Sequence, residues 1–125
     1  MAKIVIVEDE PAIAEMYRFK LEQVGYQVQS ALNGQEGLAL IKEFSPDLIL
    51  LDLMMPKMSG EEMLRQLRAT DWGKDIKVII LTNITEDTME SQLAALKIER
   101  YIVKANYTPS QVAETIPEVL AEKAQ

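Results

Sequence analysis

Histidine and cysteine are both absent from this chain of 125 residues, and aromatic residues make up only 6% of it. Without histidine, no Ser-His-Asp or Cys-His arrangement can be assembled, and neither a His-type zinc site nor a histidine base is available. Without cysteine there is no disulfide framework and no thiolate chemistry, which suits a cytoplasmic location. Positive charge is also scarce: 13 Lys and Arg stand against 20 Asp and Glu, a net charge of −7. Nucleic-acid binding needs a basic footprint, so no direct nucleic-acid partner is expected. Apolar runs such as Val78–Leu81 are far too short to span a bilayer, so no membrane partner is expected either. The amino terminus has one lysine and a short apolar run cut off by Glu8 and Asp9, which is not a signal peptide. Chemistry must therefore run on carboxylates, lysine, hydroxyls or a hard metal held by oxygen.

What is present is a globular composition, 48% apolar, in a chain of one-domain length, so residues 1–125 are read as a single domain. The most informative stretch runs from Ser45 to Gly60. Leu48–Leu51 is apolar on both faces, as a central strand of a parallel sheet must be, and it ends abruptly on Asp52. Pro56 and Gly60 then turn the backbone away. An acid is thus held on rigid backbone at the carboxyl end of a strand, where ligands collect in open α/β sheets. Taken alone, Asp52 serves equally well as a cap for the following turn.

Strand and helix patterns alternate five times, predicting a doubly wound α/β fold with helices on both faces of a parallel sheet. Strands are expected at Lys3–Val7, Tyr26–Leu32, Leu48–Leu51, Ile76–Leu81 and Arg100–Val103. A first helix opens at Pro11 and stops at Gly25, with Ile13, Met16, Tyr17, Leu21 and Val24 on its inward face and Phe19 at the rim. Helices follow at about Gln35–Phe44 and Gly60–Ala69, the latter burying Met63, Leu64 and Leu67. Trp72 is expected to cap the loop before the fourth strand. Thr85 is a candidate N-cap for a fourth helix carrying Met89, Leu93 and Leu96. The last helix opens at Pro109 and buries Val112, Ile116, Val119 and Leu120, with Pro117 inside it bending it or removing a hydrogen bond.

Parallel strands place all their carboxyl ends on one edge. There the first strand delivers Glu8 and Asp9, the third Asp52, the fourth Thr82 and Asn83, and the fifth Lys104. The first, third and fourth strands are neighbours in the flavodoxin-like order 2-1-3-4-5. Each pair of like charges at roughly 4 Å and an effective dielectric of 20 costs about 4 kcal/mol. Lys104 offsets one of three acids, and the remainder calls for a divalent ion; oxygen ligation in an incomplete cage favours Mg²⁺. The set suits one reaction, attack of a carboxylate on a phosphoryl group to give an aspartyl phosphate, with lysine and hydroxyl holding the phosphoryl oxygens. Asp52 is the better nucleophile, because Glu8 and Asp9 come as a pair suited to metal. Considered singly, each residue has an ordinary reading: a solvated capping turn for Glu8-Asp9, a strand-end hydroxyl for Thr82, an edge lysine for Lys104.

The ordered set Val7-Glu8-Asp9-Glu10, Leu51-Asp52-Leu53-Met54-Met55-Pro56 with Gly60, Leu81-Thr82 and Tyr101-Ile102-Val103-Lys104 resembles the receiver domain of two-component response regulators, of the stand-alone chemotaxis-regulator type. The resemblance covers the whole chain and implies a flavodoxin-like (βα)5 fold. It implies that Asp52 takes a phosphoryl group from a histidine on a partner kinase or phosphotransfer protein. By the same resemblance Asp9, Asp52 and the backbone carbonyl of Met54 bind Mg²⁺, with Glu8 acting mainly through a metal-bound water, while Thr82 and Lys104 grip the phosphoryl group. Thr82 is then drawn towards that group and Tyr101 turns inward, remodelling the face of the fourth helix, fifth strand and last helix towards a downstream protein target. Such a protein is a monomer or a weak, phosphorylation-dependent dimer.

Three features depart from the family. Ala105 stands where a proline after a cis peptide is usual, so either a trans bond with a shifted loop or a strained cis bond is expected. Asn83 replaces a small residue and either crowds the phosphoryl pocket or donates to it. Lys97-Ile98-Glu99 occupies a turn that often holds glycine and alanine. Ala105 and Asn83 keep open a degenerate receiver that binds partners without phosphorylation. A dehalogenase-type phosphatase needs a second acid where this chain has Met54, and a flavin module needs a phosphate loop where it has Glu8-Asp9-Glu10-Pro11.

Overall fold

A computed structural model describes residues 2–85 and 87–121. Five strands, β1 (Lys3–Val7), β2 (Gln27–Ala31), β3 (Leu48–Leu51), β4 (Lys77–Thr82) and β5 (Arg100–Val103), alternate with helices α1 (Pro11–Val24), α2 (Gly34–Phe44), α3 (Gly60–Arg68), α4 (Asp87–Ala94) and α5 (Pro109–Ala121). All strand pairs are parallel, and their order is 2-1-3-4-5, the expected flavodoxin-like arrangement.

Strand alternation divides the interior into two layers, because successive side chains leave a strand on opposite faces. Ile4, Ile6, Leu48, Leu50, Ile79, Leu81 and Ile102 point to one face, where Ala14, Tyr17 and Leu21 of α1 and Val112, Ile116 and Val119 of α5 cover them. Val5, Val7, Ile49, Leu51, Val78 and Ile80 point to the other, against Ile41 of α2, Met63, Leu64 and Leu67 of α3 and Leu93 of α4. β3 is fully buried, as a strand covered on both faces must be.

Local chemistry sets the helix ends. Gly25 stops α1 at φ 112°, a left-handed position natural only to glycine. The Asn33 side chain accepts from the Glu36 amide at 2.9 Å and caps α2, and Ser59 does the same for α3 with Glu62 at 3.2 Å. α4 is described from Asp87 to Ala94; the expected cap at Thr85 turns on residue 86, which lies outside the described residues. α5 runs on through Pro117, whose ring is exposed.

Two expectations for α1 fail: Met16 and Val24 are exposed, and the buried stripe is Ala14, Tyr17 and Leu21. Phe19 is further out than a rim position, at 66% exposure. Trp72, 38% exposed, lines an open groove of about 390 Å³ with Pro46, Ile76 and Leu120. Among the described residues no helix is long and apolar enough to cross a membrane.

Candidate functional site

Three strand ends build the acidic pocket. Strand parity explains its layout: Glu8 continues the Ile4, Ile6 row and Asp52 the Leu48, Leu50 row, so both acids lean towards α1. Thr82 continues the Val78, Ile80 row on the opposite face. The Glu8 amide donates to the Ala31 carbonyl and the Asp52 amide to the Val7 carbonyl, both at 3.0 Å, which extends the sheet ladder under the acids. Glu8, Asp9 and Asp52 each offer a carboxylate oxygen, and these oxygens lie within 4.8 Å of one another. Glu8 and Asp52 are buried, at 4% and 8% exposure, so their charges are not dispersed into water.

Lys104 answers them from across the sheet. Its ammonium donates to Glu8 Oε1 and lies 3.6 Å from Asp52 Oδ2. Burial pushes the Glu8 carboxyl above its ordinary range, against the hydrogen bonds it accepts from Lys104 and from the Glu10 amide; the Asp52 charge pushes it further up. Burial also works against the Lys104 charge, but the Glu8 hydrogen bond and the Asp52 and Glu8 carboxylates outweigh it, and the Lys104 pKa rises.

The Lys104–Ala105 bond is trans, since no cis peptide occurs among the described residues. Of the two expectations for this bond the trans one holds, with Lys104–Asn106 coiled into a short 3₁₀ turn. Alanine in place of proline therefore leaves the ammonium among the acids. Thr82 is fully buried, and its Oγ1 accepts from the Ile84 amide at 3.3 Å. Asn83, beside it, is exposed. Met54 is exposed, and its amide donates to Asp52 Oδ1 at 3.4 Å. Tyr101 is half-buried in the layer of Leu93, Met89 and Leu96, and its hydroxyl donates to the Ile84 carbonyl at 2.7 Å.

Gly60 approaches this site from behind: a Cβ there would stand 2.1 Å from the Asp52 carbonyl oxygen, so no side chain fits. Two residues escape a reading of the sequence. Tyr17, expected only to pack, lines a small cavity with Glu8, Asp52 and Leu81 beneath the acids. Burial raises its phenol pKa, which the Lys104 charge opposes. Arg68, at the end of α3, bonds to backbone carbonyls of two loops. No signal in the sequence separates it from an ordinary surface arginine.

Fold and pocket together define a class, the doubly wound α/β domains that carry an acidic cluster at the carboxyl edge of a 2-1-3-4-5 sheet. Residues 4–116 match the family model described as the response regulator receiver domain, and the chain belongs to that family. Among its relatives is the DNA-binding dual master transcriptional regulator RpaA of Synechocystis sp., 36% identical over 121 residues, covering 97% of this chain and 48% of that protein. The phosphate regulon transcriptional regulatory protein PhoB of Rhizobium meliloti is 35% identical over 113 residues, 90% of this chain and 50% of its own. The chain thus spans about half the length of these curated relatives. The solved structure of the chemotaxis protein CheY4 of Vibrio cholerae superposes with a TM-score of 0.88 at 29% identity, covering 95% of this chain and 98% of that one.

Proposed function

We propose that this chain is a phosphorylation-dependent switch in which Asp52 is the phosphoacceptor. The observation that carries the reading is the meeting of three carboxylates within 4.8 Å with a single ammonium, that of Lys104, 3.6 Å from Asp52 Oδ2. A carboxylate is ionised at neutral pH, so Asp52 needs no base to act as nucleophile. Its oxygen bonds to phosphorus as the P–N bond of a partner's phosphohistidine breaks and the imidazole leaves. The donor is a histidine kinase or a histidine phosphotransfer protein, in keeping with a chain that has no histidine of its own.

Three acids against one lysine leave the pocket two charges negative, which fits a divalent cation with oxygen ligands. Mg²⁺ held by Asp9, Asp52 and the Met54 carbonyl, with Glu8 alongside, would neutralise the incoming phosphoryl oxygens. Lys104 shifts from Glu8 to one phosphoryl oxygen, and the Thr82 hydroxyl turns to another. That turn takes Thr82 Oγ1 from the Ile84 amide, while Tyr101 holds the Ile84 carbonyl. The β4–α4 connection is where the two residues meet, and from there the change passes to the face made by α4, β5 and α5. A protein target reads that face.

The test is direct. Purified protein with Mg²⁺ and acetyl phosphate should gain one phosphoryl group by mass spectrometry, and Asp52→Asn should abolish the gain. Unchanged uptake in that variant, or none in the wild type, overturns the proposal.

A further inference from the structure

The Arg68 guanidinium is spread over two loops. Its Nε donates to the Leu96 carbonyl at 2.7 Å and its Nη2 to the Lys97 carbonyl at 3.1 Å, both in the turn between α4 and β5. Its Nη1 is shared among the carbonyls of Gly73, Lys74 and Ile76, at 2.9, 3.2 and 2.8 Å, in the loop between α3 and β4. A planar fork with five N–H donors suits this arrangement; a lysine, with one nitrogen, cannot reach both loops. The turn so held is a strained one. Lys97 adopts φ 62°, the left-handed region that side chains enter at a cost. Its carbonyl is one of those that Arg68 grips.

The other end of α4 is held differently. There Ile84 is fixed through the Thr82 hydroxyl at 3.3 Å and the Tyr101 hydroxyl at 2.7 Å, the two side chains assigned to the switch. Among the described side chains of α4, Leu93 is the buried one, and it lies near the trailing end. One end of the helix is thus tied to rigid backbone and the other to groups that rearrange.

We propose that Arg68 is a positioning residue, the pivot of α4: it locks the α4–β5 turn to α3, so that α4 moves by its leading end while the turn stays in place. The use of that pivot rests on the phosphorylation reading above; the anchoring does not.

Amide hydrogen exchange followed by NMR on the full chain, without phosphodonor, tests the anchor. The informative amides are Leu96, Lys97 and Glu99, which donate to Leu93, Ala94 and Val78 at 2.8, 3.1 and 2.8 Å. In the wild type they should exchange at least about tenfold more slowly than the Ile84 amide. Arg68→Met should erase that difference, while the Asp52 amide inside the sheet keeps its protection. Adding Lys97→Gly to Arg68→Lys should restore part of the protection, because glycine removes the left-handed strain. Turn amides that stay within about twofold of wild type in Arg68→Met overturn the pivot, as does a uniform loss that includes Asp52. If Arg68→Met does not fold, Arg68→Lys is judged by the same two criteria. With beryllofluoride and Mg²⁺ added, wild-type shift changes should stop before Leu96, and in Arg68→Lys they should run through Glu99; changes that cross the turn in the wild type also overturn it. Absence of any beryllofluoride response would sink the phosphorylation reading, while the exchange rates would still decide for or against the anchor.

Discussion

Glu8 and Lys104 balance each other at a cost that pH exposes. Because burial raises the Glu8 pKa, the protonated acid favours the folded state; that contribution is complete below the ordinary value of 4.5 and is lost as pH rises through the raised value. Once ionised, the acid is therefore a burden that the Lys104 ammonium offsets. Lys104 stabilises in turn at pH below its ordinary value of 10.5, and this is lost only as pH rises through its raised pKa. The proposed Mg²⁺ site draws on the Glu8 charge, so on that reading Mg²⁺ affinity should fall as pH drops through the raised Glu8 pKa, above the range where ordinary glutamates titrate. Calorimetric titration at several pH values checks this, and Glu8→Gln should flatten the profile in that window. The acids, Thr82 and Lys104 are legible in the sequence, because each stands where an apolar run stops. Tyr17 and Arg68 are not: a tyrosine on a packing face and an arginine at a helix end look the same whatever they touch.

At the scale of elements, the turn from β3 into α3 is the most constrained. The Gly60 amide donates to the Leu53 carbonyl at 3.0 Å, and a Cβ would also stand 2.8 Å from the Leu53 Cα. Backbone cannot yield as a side chain does, so Gly60→Ala should cost about 1–3 kcal/mol by denaturant titration. It should also weaken Mg²⁺ binding, because the displaced strand end carries Asp52. The strands and most helix faces follow from periodicity, since a sheet covered on both sides demands apolar strands. For α1 the same periodicity predicts too broad a face. Each residue turns the helix by about 100°, and Met16 falls well outside the arc of Ala14, Tyr17 and Leu21. Val24 has a suitable angle but is the final residue of the helix. Hydrophobicity alone does not mark where the cover ends.

For the molecule as a whole, a net charge of −7 and a largely buried knot of acids should make the fold sensitive to divalent cations. Millimolar Mg²⁺ should raise Tm through binding to the native state, by about 2.7 kcal/mol when it exceeds Kd a hundredfold. Asp9→Asn should remove most of the rise, and NaCl of equal ionic strength should not reproduce it in a thermal-melt series. The strand order is legible at this scale too, because the acids and Thr82 come together only if the first, third and fourth strands adjoin. The trans bond at Ala105 is not, since both isomers fit the sequence.

The ion pair between Glu8 and Lys104 joins positions 96 residues apart. During synthesis the acids emerge early and their counter-charge late, after all five strands have been made. A nascent polypeptide thus carries these acids with no ammonium to steady them until the closing strand docks. Charge balance in the pocket comes only with closure of the sheet.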